Sequence, residues 1–227
     1  MESHLSGIRG CVFDFDGTII VSEDVHMRAW GDLSKALSVS LPEGFLELSV
    51  GMSDLQLVQI LSEHWRGVIS AQDILTRKRS YYMARCPREC VPVDGVVDII
   101  LSLHSRRVPI AIATSSSRDE VMPVLNRLGI KDAFNAICTV EDVTHPKPDP
   151  EIYFCAARRI GLQPQECLAF EDSVAGAKSA RAAGCQLITV LTIYEEERLA
   201  PSFMSVKNFK DVRILPQLNL IVSNCPT

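Results

Sequence analysis

The sequence predicts an α/β fold: a doubly wound parallel sheet with a second, all-helical unit inserted after the first strand. Three observations carry this. From residue 96 to residue 191, short apolar runs alternate with helical patterns, which builds a parallel sheet with helices on both faces. The first apolar run, Ile8 to Phe13, is separated from that series by a stretch, Ser22 to about Cys86, that reads as helical with no convincing strand. There is no internal repeat or low-complexity segment, and 227 residues suffice for a large core carrying a small insert. The expectation is a Rossmann-like core over 1–20 and 94–227 with a four-helix cap over 21–93. Its hinges fall near Ile19 to Val21 and Val91 to Gly95.

Each element has its own signal. The first strand contains Cys11, Val12 and Phe13 and ends at Asp14-Phe15-Asp16-Gly17-Thr18. Ser22 suits a helix N-cap, with Glu23 and Asp24 in the first turn favoured by the helix dipole. Val25, Ala29, Leu33, Ala36 and Leu37 recur at helical spacing. Pro42 and Gly44 punctuate, Ser53 can cap a helix carrying Leu57, Ile60 and Leu61, and a further helix runs from Ala71 through Tyr82. The later series reads as helix Val96 to His104, strand Pro109 to Ala113, helix Asp119 to Leu128, strand Ala136 to Thr139 and helix Pro148 to Ile160. Strand Cys167 to Phe170, helix Val174 to Ala183 closed by Gly184, and strand Gln186 to Leu191 complete it. Beyond Ile193 the pattern is too irregular to assign.

Composition narrows the function. A net charge of −5 and sparse aromatics speak against a nucleic-acid partner. No apolar run is long enough to cross a bilayer, and the polar start Met1-Glu2-Ser3-His4 is unlike a secretory signal. The eight cysteines are scattered, several beside buried-strand patterns, as expected for reduced thiols in a cytoplasmic protein. Cys86 and Cys90 lack the second ligand pair of a zinc site.

In an open parallel sheet, ligands bind beyond the carboxyl ends of the strands. Four polar groups fall there: Asp14 with Asp16; Thr114-Ser115-Ser116; Lys147; and Glu171-Asp172. Any one alone has an ordinary structural reading as a solvated turn, a helix cap or a loop lysine. Together they form a chemistry. Clustered carboxylates need a cation, and hard oxygen ligands suit Mg²⁺. Thr114 and Lys147 can hold phosphoryl oxygens. Asp14 can then attack phosphorus, while Asp16 protonates the leaving oxygen and later activates water.

With these motifs the chain resembles the haloacid dehalogenase superfamily, over about residues 9 to 191. The helical insert and Phe170-Glu171-Asp172-Ser173-Val174-Ala175-Gly176 are similar to the branch that contains β-phosphoglucomutase and many sugar-phosphate phosphatases. The resemblance implies Asp14 as nucleophile and Asp16 as general acid/base. It implies Mg²⁺ ligated by the Asp14 carboxylate, the Asp16 backbone carbonyl and Asp172, with Glu171 direct or through water. Thr114, the Ser115 backbone and Lys147 would grip the phosphoryl group, with Ser116 a further candidate contact at the same strand end, and a monomer is the default in this branch. Asp16 favours phosphate esters, because dehalogenases and phosphonate hydrolases of this fold lack an aspartate there.

The branch also holds mutases. In Gly51-Met52-Ser53-Asp54, Asp54 stands where the mutase carries an arginine for a second phosphate. A carboxylate there repels that phosphate and favours a phosphatase, although Arg118 could partly substitute. In the cap, His26 and Trp30 share a helix face. Trp30 reads as core; His26 reads equally as a substrate contact or a structural histidine. Lys78, within Arg77-Lys78-Arg79, reads either as a substrate contact or as part of a solvated basic face. The expected function is hydrolysis of a small phosphorylated metabolite, a sugar, polyol or nucleoside-type monophosphate. A hexose-phosphate mutase and a catalytically silent binding module are the alternatives.

Overall fold

The computed structural model describes residues 7–45, 54–199 and 201–224, with Leu55 described by its backbone alone. The chain divides into two compact units, Met1–Val21 with Val91–Thr227, and Ser22–Cys90.

The first unit is built on a six-stranded sheet. Its strands are β1 (Gly10–Phe13), β4 (Ile110–Ala113), β5 (Ala136–Cys138), β6 (Cys167–Glu171), β7 (Gln186–Val190) and β8 (Met204–Val206). They run in the order β5-β4-β1-β6-β7-β8, every pair parallel. The first four residues of this frame are entirely buried, as are all of β4 and β6, which is why these strands read as continuous apolar runs rather than alternating ones. On one face Val12, Ala111, Ala169 and Leu187 pack with Ile152, Tyr153, Ala156 and Ala157 of α6 (Glu151–Arg159) and with Ala177 and Ala180 of α7 (Val174–Ala183). On β1 and β6 the next residues along, Phe13 and Phe170, are register partners and stack at 4.7 Å between ring centroids.

The connections include α4 (Val96–Ser105) and α5 (Arg118–Leu128). The chain goes from β1 to β4 and β5 on one side, then returns to β6 on the other. That reversal puts a topological switch point beside β1. The irregular end beyond Ile193 forms α8 (Glu196–Leu199), β8 and α9 (Ile214–Asn224). A two-stranded antiparallel ribbon, β2 (Ile20–Val21) with β3 (Val91–Pro92), marks where the chain leaves and re-enters this unit.

The second unit contains three helices among the described residues: α1 (Glu23–Ala36), α2 (Asp54–His64) and α3 (Ala71–Glu89). The expected Gly51-Met52-Ser53 segment lies outside the described residues, so a fourth helix is not tested. Ser22 sits at the N-cap of α1 but its side chain makes no capping bond; Ser70, by contrast, accepts the Asp73 N–H at the start of α3. The core of this unit is Trp30, Leu33, Leu57, Leu61, Trp65 and Ile74, so Trp30 is a core residue. Helix α3 runs seven residues past Tyr82, and its last turns are tied to α1 by Arg85 on Asp32 (2.6 Å) and Glu89 on Arg28 (2.8 Å).

The described cysteines are buried and in no disulfide. Among the described residues, no helix is long and apolar enough to cross a membrane.

Candidate active site

Three strand ends deliver the polar groups of the first unit. Asp14 follows β1, Thr114 follows β4, and Glu171 ends β6 with Asp172 next. Lys147 arrives on the loop ahead of α6. Its ammonium has three protons and three acceptors: Asp14 Oδ1 at 2.6 Å, Glu171 Oε1 at 2.5 Å and the Ala113 carbonyl at 2.9 Å. One buried cation is therefore shared by residues separated by more than a hundred positions in the chain.

Asp14, Glu171 and Asp172 are all buried, and each offers an oxygen within 4.8 Å of the other two. With one ammonium among three carboxylates, this cluster carries an excess of negative charge. Burial, reinforced by the Glu171 carboxylate, pushes Asp14 up to about 8 against the downward pull of Lys147. Burial and the Asp14 carboxylate hold Asp172 well above the ordinary range. For Lys147, burial acts downward, but Asp14 and Glu171 outweigh it and the ammonium is held more tightly than usual. Asp172 Oδ1 is buried with no hydrogen-bond partner. An orphaned buried carboxylate oxygen, inside a group of hard oxygen donors with surplus negative charge, fits a divalent cation such as Mg²⁺.

Backbone close approach makes the cluster possible. Gly17 has φ +75°, and a Cβ there would lie 1.9 Å from Asp172 Oδ2. A Cβ on Gly176 would lie 1.8 Å from Glu171 Oε1.

The other expected residues fall as follows. Asp16 accepts a short hydrogen bond from the Ser116 hydroxyl, and the Ser116 N–H donates to Thr114 Oγ1 at 2.9 Å. The structure thus links Asp16, Thr114 and Ser116, while Ser115 is exposed at the same turn. The Asp16 carboxylate is not part of the three-carboxylate group.

His26 and Lys78 lie in the second unit and are partners. Lys78 Nζ is 2.7 Å from His26 Nδ1 and is held by both oxygens of Asp54, at 2.7 and 2.5 Å. Lys78 is only 1% exposed and lies over the rings of Trp30 and Tyr82, so the solvated-face reading does not hold for it. His26 stacks on Tyr82 at 4.0 Å.

Three residues that the sequence reading passed over also belong to the core site. Tyr153 donates its hydroxyl to Glu171 Oε1 at 2.8 Å. Ser173 donates its N–H and its hydroxyl to Glu171 Oε2, at 3.2 and 3.1 Å. Thr192 donates to the Gly17 carbonyl at 2.7 Å and approaches Asp172 Oδ2 at 3.3 Å. Tyr153 carried no signal because it sits on the apolar face of α6, where a tyrosine reads as core. Ser173, directly after the acidic pair and ahead of a helix, was the one with a visible N-cap signal.

The chain is similar to known proteins over most of its length. The chain is 29% identical to the fructose-1-phosphate phosphatase YqaB of Escherichia coli over 80% of this chain and 95% of that protein. It is 28% identical to the β-phosphoglucomutase of Bacillus subtilis over 78% of this chain and 80% of that one. Among solved structures, CbbY from Rhodobacter sphaeroides in complex with phosphate superposes with a TM-score of 0.78 at 25% identity, covering 90% of this chain and 96% of that chain. The family model of haloacid dehalogenase-like hydrolases matches residues 8–184, most of the chain and all of the residues gathered around Lys147. The chain belongs to the haloacid dehalogenase-like hydrolase family.

Proposed function

We propose that this hydrolase is a Mg²⁺-dependent phosphatase acting on a small phosphorylated metabolite, of the sugar, polyol or nucleoside-monophosphate type, through an aspartyl-phosphate intermediate. The observation that carries the reading is the single ammonium of Lys147 joining Asp14 to Glu171, beside the orphaned oxygen of Asp172. Mg²⁺ would be held by Asp14, Asp172 and the Asp16 backbone carbonyl, with Glu171 direct or through water. When bound it would neutralise the carboxylates and the phosphoryl oxygens.

In this reading Asp14 is the nucleophile. Its carboxylate must be ionised to attack phosphorus, and positive charge beside it opposes the burial that now favours its protonated form. Lys147 turns one proton to the incoming phosphoryl oxygens. The proton now donated to Asp14 is the one released, since Asp14 is the group that turns to phosphorus. Thr114 accepts from the Ser116 N–H, which leaves its own hydroxyl proton for the phosphoryl group, with Ser115 and Ser116 at the same turn. Asp16, oriented by the Ser116 hydroxyl, delivers a proton to the leaving oxygen and takes one from the attacking water. In the helical unit His26 is assigned to recognition of the non-phosphate part of the substrate, and Lys78, buried and held by Asp54, orients the His26 ring rather than reaching the substrate itself.

A phosphatase is favoured over a mutase by Asp54. It already occupies the Lys78 ammonium, so this buried cation of the helical unit is not free to take a second phosphate.

The test is release of inorganic phosphate across a broad panel of monoesters at fixed Mg²⁺. Turnover of at least one sugar or polyol phosphate is expected, abolished by chelation and lowered at least about 10³-fold by Asp14→Asn. No release from any monoester sinks the reading. Interconversion of hexose 1- and 6-phosphates in the presence of a bisphosphate would replace it with the mutase.

A further inference from the structure

Tyr153 is buried on α6 and touches both members of the Lys147–Glu171 pair. Its hydroxyl donates to Glu171 Oε1 at 2.8 Å, and Lys147 Nζ lies 5.3 Å from its ring centroid. An ionised carboxylate has about four lone-pair positions. On Glu171 four donors meet them. Oε1 accepts from Tyr153 and from Lys147; Oε2 accepts from the Ser173 N–H and the Ser173 hydroxyl. Asp172 differs sharply, with Oδ1 buried and unpartnered. Two carboxylates from one doublet, side by side in the chain, are thus prepared for different work. Asp172 is open to a ligand and Glu171 is saturated by the protein.

That difference bears on which cation the site accepts. Mg²⁺ is content with one or two carboxylates and keeps several waters in a near-ideal octahedron. Ca²⁺ takes six to eight oxygens and accepts additional, often bidentate, carboxylates. A third free carboxylate would therefore favour Ca²⁺ over Mg²⁺. We propose that Tyr153 is a positioning residue whose phenolic hydroxyl holds Glu171 out of direct contact with the cation, and so biases the site toward Mg²⁺ and against Ca²⁺. The inference rests on the cation site proposed above and decides how Glu171 takes part in it: through Lys147 rather than as an inner ligand.

The test is calorimetric titration of the metal-free, full-length protein with Mg²⁺ alone and with Ca²⁺ alone, without substrate. Tyr153→Phe keeps the ring and its contacts and removes one donor from Oε1. The ratio of Ca²⁺ to Mg²⁺ affinity is expected to rise about tenfold, the lower end of what partners of metal ligands typically control. Ser173→Ala removes one of the two donors to Oε2 without touching the ring and should move the ratio in the same direction. Loss of packing alone would weaken both cations together and leave the ratio where it was. An unchanged ratio in both variants, with Mg²⁺ still binding the wild type, overturns the role of Tyr153 and spares the cation site. Absence of binding heat from the wild type with either cation overturns both.

Discussion

At the scale of single residues, the site is a balance of charge that the polypeptide leaves uneven. Asp14 is carried to about 8 from an ordinary 3.8, first by burial and then by Glu171. Asp172 is raised as well, by burial and by Asp14. A carboxyl raised on folding holds a proton that the unfolded chain surrenders near pH 4. The folded state therefore binds more protons over the interval from about 4 to about 8, and unfolding free energy falls as pH rises through it. Lys147, raised from an already high value, stays charged throughout and adds no slope in this window. In chelator, the melting temperature is expected to fall between pH 5 and pH 8, and Asp14→Asn should flatten that fall. Mg²⁺ should restore more at pH 8 than at pH 5. A wild-type melting temperature that climbs with pH in chelator would show that the cluster is not charge-frustrated. Among residues, Asp14, Thr114, Glu171 and Asp172 were legible because each lies at the end of an apolar strand, and Lys147 because it stands between prolines on the loop that leads into the next helix. Lys78 was legible only as a residue, not by its environment. Arg77 and Arg79 flank it and are exposed, and the basic run gives no hint that the middle member turns inward.

Elements decide how closely these groups approach. Helix α7 begins at Ser173, which accepts the Gly176 N–H and also donates to Glu171. The first turn of that helix is packed against a carboxylate that four donors immobilise. A methyl at Gly176 would sit 1.8 Å from Glu171 Oε1, and the carboxylate has nowhere to go. Gly176→Ala should destabilise the protein by about 1–3 kcal/mol or more, measured by denaturant unfolding, and depress turnover with it. A neutral effect on both would mean that Glu171 is mobile. Helix α7 was read from the sequence with its observed limits, closed by Gly184 as a left-handed C-cap. The central strands were equally visible as unbroken apolar runs. By contrast β2 and β3 are two residues each, too short to carry any periodicity, and β8 and α8 have only three and four residues. For them tertiary contact, rather than local pattern, selects the structure.

Considered as a whole, the molecule owes its stability to burial rather than to cross-links. Cys11, Cys86, Cys90, Cys138, Cys155, Cys167 and Cys185 are buried and in no disulfide, and burial raises Cys138 and Cys167 to about 12. Such thiols are poor nucleophiles until the chain opens. Dithiothreitol should leave the melting temperature unchanged. A thiol reagent should label these seven in the native protein only as fast as it unfolds, with all eight cysteines of the sequence reacting in denaturant. Rapid native labelling of several of them would contradict the burial. The stacked rings of Phe13 and Phe170 have a consequence for the acids that follow them. Phe13 immediately precedes Asp14 and Phe170 immediately precedes Glu171, and the two phenylalanines are paired in register. The spacing between Asp14 and Glu171, which both meet Lys147, is thus set by two paired strands, with the Asp14 N–H on the Phe170 carbonyl at 2.9 Å as its last rung. To widen it, the sheet itself has to part.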